Sequence, residues 1–142
     1  FMEPLRSPFL IADEILQEMQ KETKIIFVDF HAEATAEKVA MGWYLDGRVS
    51  AVVGTHTHIQ TADERILPKG TAYLTDAGAC GPMNGVIGMQ QEGVFRRMVQ
   101  QLPCRFEVAE GQAAACGVMV TVDLESGKAV EISRIRFEES SG

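Results

Sequence analysis

The three histidines of the chain lie where ligands of a metal ion could converge. His56 and His58 are one residue apart directly after the apolar run 49–54, and His31 follows another apolar run, 25–30. In open α/β sheets, ligands bind where the carboxyl ends of parallel strands meet at one edge. Imidazole is the commonest metal ligand near neutral pH, and alternate residues of an extended segment point to the same side. The spacing therefore predicts that His31, His56 and His58 bind metal at one sheet edge.

Three acidic side chains close to these histidines are candidates for orienting the imidazoles. Asp29 and Glu33 flank His31, and Asp63 follows soon after His58. Because a metal-binding histidine usually donates its other ring N–H to a carboxylate or carbonyl, these carboxylates are candidate second partners, although each could equally be a solvated surface group. Three histidines could complete one zinc site with an open position, or be a partial set for two bridged ions. Spacing alone leaves both arrangements open.

Composition narrows the class of protein. A chain of 142 residues that is 46% hydrophobic can bury a core, so we expect residues 1–142 to form a single domain. The net charge of −7 and the scattered basic residues argue against a nucleic-acid groove. No apolar run reaches the length of a membrane span and no charged-then-apolar leader opens the chain, so we expect a cytoplasmic protein without a membrane partner. The three cysteines lack CxxC spacing and are interpreted as reduced core thiols.

The first half of the chain predicts the elements that would carry the histidines. Ser7 is a good N-cap, and Pro8 suits the first turn of an amphipathic helix. A buried strand over 24–30, a helix over 34–45 and a buried strand over 49–54 predict a right-handed crossover between parallel strands. We expect these residues on the core faces of the two helices: Ala12, Ile15, Leu16 and Met19, then Ala36, Val39, Ala40 and Trp43.

The second half predicts a change of topology from parallel to antiparallel strands. The glycine-rich segment 78–85 lacks the lysine and spacing of a P-loop, so we favour a turn, with pocket lining as the alternative. Parity changes along the last strand, which predicts a bulge near Ser133. The predicted elements are a polar loop over 60–70, a strand over 71–76, a helix over 94–102 ended by Pro103, and strands over 105–110, 114–124 and 129–138, the last two joined as a hairpin.

Four segments around the histidines closely resemble the YmdB-like bacterial metallophosphoesterases. These are Val28-Asp29-Phe30-His31-Ala32-Glu33-Ala34-Thr35, Leu45-Asp46-Gly47-Arg48-Val49, Gly54-Thr55-His56-Thr57-His58 and Gln60-Thr61-Ala62-Asp63. The similarity runs from Phe1 to about Phe137 and reaches only the C-terminal half of that family. It implies the C-terminal half of a calcineurin-like α/β-β/α sandwich ending in antiparallel strands. It also implies a phosphodiesterase that acts on cyclic nucleotides such as 2′,3′-cyclic nucleotides, or on another phosphodiester.

The resemblance also implies roles for the histidines. His31 and His56 would bind one divalent ion and His58 a second, with iron, manganese or zinc as the metal and a bridging hydroxide attacking phosphorus. The rest of the family's site lies upstream: an early Asp, a bridging Glu with a neighbouring Asn, and an Asn-His pair whose His is the expected general acid. No catalytic acid is therefore assigned in this chain. At Ala79-Cys80 the family more often has Met and a small hydroxyl residue, which affects only the pocket lining.

The beginning Phe1-Met2-Glu3-Pro4 leads us to expect part of a longer protein, inactive until joined to an N-terminal half. Such a chain should expose apolar surface, so we expect a homo-oligomer or binding of the missing half. One alternative is a non-catalytic metal-binding or assembly fragment. Another is a capsule or poly-γ-glutamate type of metallophosphoesterase-like protein, which also ends a strand in a Gly-x-His-x-His turn, although the segment 29–35 favours the first resemblance.

Overall fold

The computed structural model describes residues 6–139, which form a mixed α/β fold with two sheets. One sheet has the strand order β1-β2-β4-β3 and the other the order β5-β6-β7. The change from parallel to antiparallel pairing agrees with the prediction. In chain order the elements are α1 (Pro8–Glu22), β1 (Phe27–His31), α2 (Thr35–Leu45), β2 (Ala51–Thr55), β3 (Arg65–Ile66), β4 (Ala72–Leu74), β5 (Cys80–Pro82), α3 (Gln91–Met98), β6 (Ala113–Val122) and β7 (Ala129–Glu138).

The crossover β1-α2-β2 positions the histidine edge. Strand β1 pairs with β2 in parallel, and the register aligns His31 with Thr55, so both strands end at the same level. Residues 51–54 of β2 are buried because neighbours cover both of its faces, as expected for a central parallel strand. Asp46 follows α2, and Gly47 takes a φ of 81°, the left-handed conformation with which helices often end.

Strand β1 is not buried on both faces, contrary to the prediction. It begins at Phe27 rather than Lys24, and the side chain of Phe27 is 55% exposed. The physical reason is its position: within residues 6–139, β1 pairs only with β2 and forms the edge of its sheet. An apolar sequence run does not distinguish an edge strand from a central one.

Helix α1 packs on the core through a narrower stripe than predicted. Pro8 does occupy the first turn, although Ser7 makes no side-chain cap. Leu16 is buried, whereas Ile15 and Met19 are 52% and 40% exposed. Ile15, which is adjacent to Leu16, points about 100° away from it and so falls outside a narrow contact stripe.

Helix α2 is rotated relative to the prediction. The predicted core residues Ala36 and Ala40 are exposed, and so is Trp43, at 51%. The ring of Tyr73 sets the orientation, since a Cβ added at Gly42 would lie 2.4 Å from one of its carbons. The helix instead buries Lys38, Met41, Gly42 and Leu45.

Several predicted elements after residue 60 have different bounds. The short strand β3 interrupts the predicted polar loop, and β5 lies inside the predicted glycine-rich turn because it pairs with β6. The predicted strand 105–110 is reduced to one isolated bridge between Met89 and Val108. Helix α3 ends at Met98 rather than at Pro103, and apart from buried Val94 its apolar side chains are largely exposed.

The hairpin β6-β7 forms as predicted, but its irregularity lies elsewhere. Thr121 pairs with Glu131 and Val122 pairs with Ala129, so the extra residue is Val130. Ser133 pairs regularly, and the predicted bulge at that residue is wrong. Because of this extra residue, Ala129 and Ile132 face the same way and both pack on the buried alanines of the first sheet.

The cysteines lie nearer the surface than predicted. The three cysteines have free thiols, but none is a core residue: Cys80 is exposed, and Cys104 and Cys116 are partly exposed. Over residues 6–139, no helix has both the length and the apolarity that a membrane crossing requires.

Candidate functional site

Two of the three histidines are in direct contact at the end of the parallel sheet. His31 is the last residue of β1, and His56 follows the last residue of β2. The Nε2 atom of His31 lies 2.9 Å from the Nδ1 atom of His56, and the rings meet edge to face with centroids 4.7 Å apart. His56 and His58 have φ angles of 116° and 66°, a conformation that non-glycine residues rarely adopt. The backbone thus holds this loop in an unusual shape.

A hydrogen-bonded chain fixes the tautomer of His31. The hydroxyl of Thr55 donates to Asp29 at 2.8 Å and lies 3.1 Å from Nδ1 of His31. Because that hydroxyl has already donated its one proton, it can only accept a proton from His31. The proton of the neutral ring is therefore on Nδ1, and the lone pair of Nε2 faces His56.

Glu33 contacts the other side of His56. Its Oε2 atom lies 2.6 Å from Nε2 of His56, so both ring nitrogens of this histidine have a polar neighbour. The side chain of Glu33 is 82% exposed, and solvent screening weakens such a pair. Two of the predicted second partners, Asp29 and Glu33, thus lie next to the histidines, the first through Thr55.

The third candidate partner, Asp63, lies elsewhere. Its carboxylate accepts hydrogen bonds from the backbone amide and the hydroxyl of Thr75, at 3.2 Å and 2.5 Å. Burial raises the pKa of Asp63, but the hydrogen bonds from Thr75 and Thr61 outweigh it and lower the pKa below its usual range. Within residues 6–139 no hydrogen bond links Asp63 to an imidazole, so its predicted role in orienting a histidine has no contact to support it.

All three histidines line one open cavity of about 770 Å³. The glycine-rich segment forms another wall, so residues interpreted as a turn are pocket lining as well. Two arginines of β7, which the sequence reasoning did not single out, also reach the cavity. Arg134 and Arg136 pair with Glu64 and Glu138, each with Nε 2.8 Å from a carboxylate oxygen. The cavity wall includes His31, His56, His58, Gly78, Ala79, Cys80, Gly81, Pro82, Met83, Met89, Val108, Arg134 and Arg136.

A buried ion pair lies directly beneath the histidine loop. Lys38 Nζ and Asp76 Oδ2 are 2.8 Å apart, and both side chains are inaccessible to solvent. Burial raises the pKa of Asp76, but the hydrogen bonds from Lys38, from Thr57 and from the Gly78 amide outweigh it and lower the pKa. The sequence reasoning missed this pair, although Asp76 ends a predicted parallel strand as the histidines do.

Gly54 in the Gly-x-His-x-His turn is required by close packing. A Cβ at this position would lie 1.9 Å from the carbonyl oxygen of Thr75 and 2.6 Å from Cδ of Lys38. The aliphatic part of Lys38 therefore passes over Gly54 on its way to Asp76. Only a residue without a side chain leaves this path open.

The histidines fit a metal ion as a partial donor set. Two nitrogens that each bond one ion at about 2.0–2.1 Å lie roughly 3 Å apart when they occupy neighbouring coordination positions. The two facing nitrogens of His31 and His56 are 2.9 Å apart. Among residues 6–139, however, no three His, Cys, Asp or Glu side chains are grouped closely enough to hold an ion. Further donors would be needed to complete a site.

Two solved structures have the same architecture as this chain. A hypothetical protein from Thermus thermophilus is 42% identical with a TM-score of 0.90, covering 99% of this chain and 54% of that one. A structure described as a novel phosphatase from Mycoplasma pneumoniae is 38% identical with a TM-score of 0.86, covering 95% of this chain and 49% of the other. Fold and site thus define a mixed α/β protein structurally similar to a phosphatase.

Sequence comparison specifies the family. The profile of YmdB-like proteins matches residues 1–135, and the chain belongs to this family. A Bacillus subtilis protein named 2′,3′-cyclic-nucleotide 2′-phosphodiesterase is 58% identical over 98% of this chain and 53% of its own length. A putative phosphatase/phosphodiesterase of Mycoplasma pneumoniae is 40% identical over 94% of this chain and 47% of its own. The chain thus spans about half the length of these relatives. The family match favours the YmdB-like resemblance over the poly-γ-glutamate alternative.

Proposed function

We propose that this chain is the histidine-bearing half of a calcineurin-like, metal-dependent phosphodiesterase that hydrolyses 2′,3′-cyclic nucleotides. The relative from Bacillus subtilis carries the name of this activity. The observation that carries the proposal is the 2.9 Å contact between the facing nitrogens of His31 and His56 at the wall of an open cavity. The cavity volume of about 770 Å³ suits a ligand of nucleotide size.

In this proposal the three histidines hold two divalent ions. His31 and His56 share one ion through the nitrogens that face each other, and His58, on the same cavity wall, binds the other. Asp29 and Thr55 keep the lone pair of His31 Nε2 available. Iron, manganese and zinc all accept imidazole and carboxylate ligands. When bound, divalent ions in a two-metal site supply Lewis acidity and activate water for attack on phosphorus.

The arginines of β7 bind the substrate in this scheme. Arg134 and Arg136 bring two guanidinium groups to the cavity, each held in place by a carboxylate, Glu64 and Glu138 respectively. Guanidinium groups match the geometry of phosphate oxygens, so these side chains orient the phosphodiester toward the histidines. The neighbouring side chains of Met89 and Val108 offer an apolar wall to the base. No residue of this chain is assigned as the general acid.

We further propose that activity requires an N-terminal half, because this chain spans only about half the length of the relatives it matches. That N-terminal half would supply the remaining ligands and the general acid, since residues 6–139 contain no group of three ligating side chains. The cytoplasmic location expected from the sequence stays a prediction, as does the formation of a homo-oligomer.

The test compares the full-length protein with its His56→Ala variant. We expect Mn²⁺-dependent cleavage of 2′,3′-cyclic AMP by the wild type, and none by the variant. The fold should persist because the side chain of His56 is 41% exposed and contributes little core packing. Circular dichroism checks the fold, and Glu125→Ala in the exposed hairpin turn is the control. A metal-loaded wild type that cleaves neither cyclic nucleotides nor an activated phosphodiester would refute the proposal.

A second candidate is a non-catalytic metal-binding or assembly fragment. It is favoured by the absence of a grouped three-ligand set within residues 6–139. Metal stoichiometry separates the two functions. One ion or none per chain without turnover, even after an N-terminal half is added, would support the fragment.

A further inference from the structure

We propose that the buried pair Lys38–Asp76 is a positioning device that holds the loop His56-Thr57-His58 in its metal-binding shape. This inference rests on the proposed function, because it assigns the pair an effect on the same histidines. Neither residue touches the substrate cavity, so both are positioning residues rather than catalytic ones.

Asp76 is hydrogen-bonded directly to the histidine loop. Oδ2 of Asp76 accepts a hydrogen bond from the backbone amide of Thr57 at 2.9 Å, and Oδ1 accepts one from the amide of Gly78 at 3.0 Å. Thr57 is the residue between the two histidines. A single carboxylate therefore ties the middle of the histidine loop to the start of the glycine-rich cavity wall.

The backbone of this loop is strained. His56 and His58 both have positive φ angles, which cost non-glycine residues free energy and persist only where the surroundings enforce them. The hydrogen bond from Thr57 to Asp76 lies between these two residues. Without it, the loop has less to oppose its relaxation, and the imidazoles would turn away from their present directions.

Lys38 contacts both Asp76 and the backbone just before the loop. Its ammonium group neutralises the buried carboxylate and also donates to the carbonyl of Thr55 at 3.3 Å, directly before His56. A buried carboxylate without a partner would take up a proton or draw in water. Lys38 thus keeps Asp76 an acceptor and restrains the first residue of the turn. Gly54 leaves the passage for its side chain.

The experiment uses the full-length protein with Lys38→Met, Asp76→Asn and the double variant. Each single variant leaves one buried polar group without its charge partner and should lose stability, whereas the double variant removes both charges and should regain it. The amides of Thr57 and Gly78 approach different oxygens of Asp76, and in Asp76→Asn one of these oxygens becomes an NH₂ group that cannot accept from the backbone amide facing it. We therefore expect Mn²⁺ affinity to stay at least about tenfold below wild type in the double variant. Faster hydrogen exchange in the peptide containing Thr57 should accompany this loss without any metal present.

Asp46→Asn is the matched control. Asp46 is also buried, and its carboxylate also accepts from backbone amides, those of Lys69 and Thr71, in a turn away from the cavity. We expect this variant to lose stability while its Mn²⁺ affinity and the exchange at Thr57 stay at wild-type values.

Three outcomes would overturn the inference. The first is a double variant that regains wild-type Mn²⁺ affinity together with stability, and the second is an equal loss of affinity in Asp46→Asn. The third is a failure of all the Lys38 and Asp76 variants to fold, which would make the pair a requirement of folding alone. If the wild type itself binds no Mn²⁺, the proposed function fails instead, and the exchange measurement still decides whether the pair holds the loop.

Discussion

The hydroxyl of Thr55 decides which nitrogen of His31 is free to act as a ligand. It donates its proton to Asp29 and so presents only an acceptor to Nδ1 of His31. Outer partners of this kind fix the ring orientation and the tautomer of a metal-binding histidine. The hydroxyl of Thr55 has one proton to donate. Because it donates this proton to Asp29, the direction of its hydrogen bond with His31 is determined as well.

Substitution of this hydroxyl should therefore weaken metal binding. In the full-length protein we expect Thr55→Val to lower Mn²⁺ affinity by about 10–100-fold, because the tautomer of His31 is no longer fixed. Thr55→Ser retains the hydroxyl and should remain close to wild type. Isothermal titration of the metal measures both variants. Equal affinities in the Val and Ser variants would show that the hydroxyl has no part in the site.

Gly54, at the end of β2, is required because a side chain would not fit there, not because its backbone has a positive φ. A Cβ at Gly54 would lie 1.9 Å from the carbonyl oxygen of Thr75, whereas a Cβ at Gly117 in β6 would come no closer than 3.4 Å to the side chain of Ile135. Both residues lie in strands and neither has a positive φ. The two positions therefore differ mainly in the space available for an added methyl group.

We accordingly expect Gly54→Ala to lower the free energy of unfolding by about 1–3 kcal/mol, the usual cost of overpacking, or more. Gly117→Ala should change it by less than about 1 kcal/mol in either direction. Urea denaturation of the two variants provides the comparison. Similar values for both would mean that the contacts around Gly54 relax at little cost.

An ionised carboxylate, that of Asp63, ties the loop before β3 to the residue that follows β4. The pKa of Asp63 is lowered by hydrogen bonds from Thr75 and Thr61 that outweigh the effect of burial. A lowered folded-state pKa stabilises the fold above the unfolded pKa of about 3.9, and the contribution is lost as the pH falls through the folded value. We expect stability to decline below about pH 4, and to decline less steeply in Asp63→Asn. Urea denaturation across this range measures both slopes, and parallel slopes would contradict the assignment.

Sequence patterns predicted some of these elements well and others poorly, for physical reasons. The buried strand β2 and the hairpin β6-β7 follow from local signals, a β-branched run and a turn with Gly127. The exposure of Phe27 could not be read from sequence, because an edge strand differs from a central one only in its neighbours. The rotation of α2 depends on the contact of Gly42 with Tyr73, a partner distant along the chain.

The same distinction applies to the site. The meeting of His31 and His56 follows from a general rule about strand ends, and the structure brings them within 2.9 Å. The pair Lys38–Asp76 was not predicted, since a lysine in a helix is usually solvated. Its burial depends on the narrow passage that Gly54 leaves between α2 and β2.

Several large apolar side chains of this chain are exposed to solvent. Phe27, on the edge strand β1, is 55% exposed. Met98 at the end of α3 is 70% exposed, and its neighbour Val99 is 76% exposed. An uncovered strand edge with apolar side chains invites pairing with another chain. We propose that these surfaces contact a second copy or the N-terminal half of the protein.

The isolated chain should therefore self-associate, and Phe27→Lys should reduce this association. Leu124→Lys is a matched control, because Leu124 is 77% exposed but lies in the hairpin turn rather than on a strand edge. Light scattering across a dilution series measures the effect. Adding the N-terminal half should replace self-association by a complex with restored phosphodiesterase activity. A strictly monomeric chain that gains no activity from that half would contradict this expectation.

We propose that His31 and His56 share one metal ion. Anomalous diffraction from Mn²⁺-soaked crystals of the full-length protein would show this ion directly. We predict an anomalous peak in contact with Nε2 of His31 and Nδ1 of His56, the two atoms that are 2.9 Å apart in the present structure. The peak should be absent from crystals of His56→Ala. Fully occupied Mn²⁺ elsewhere, with these two nitrogens still hydrogen-bonded to each other, would contradict the account.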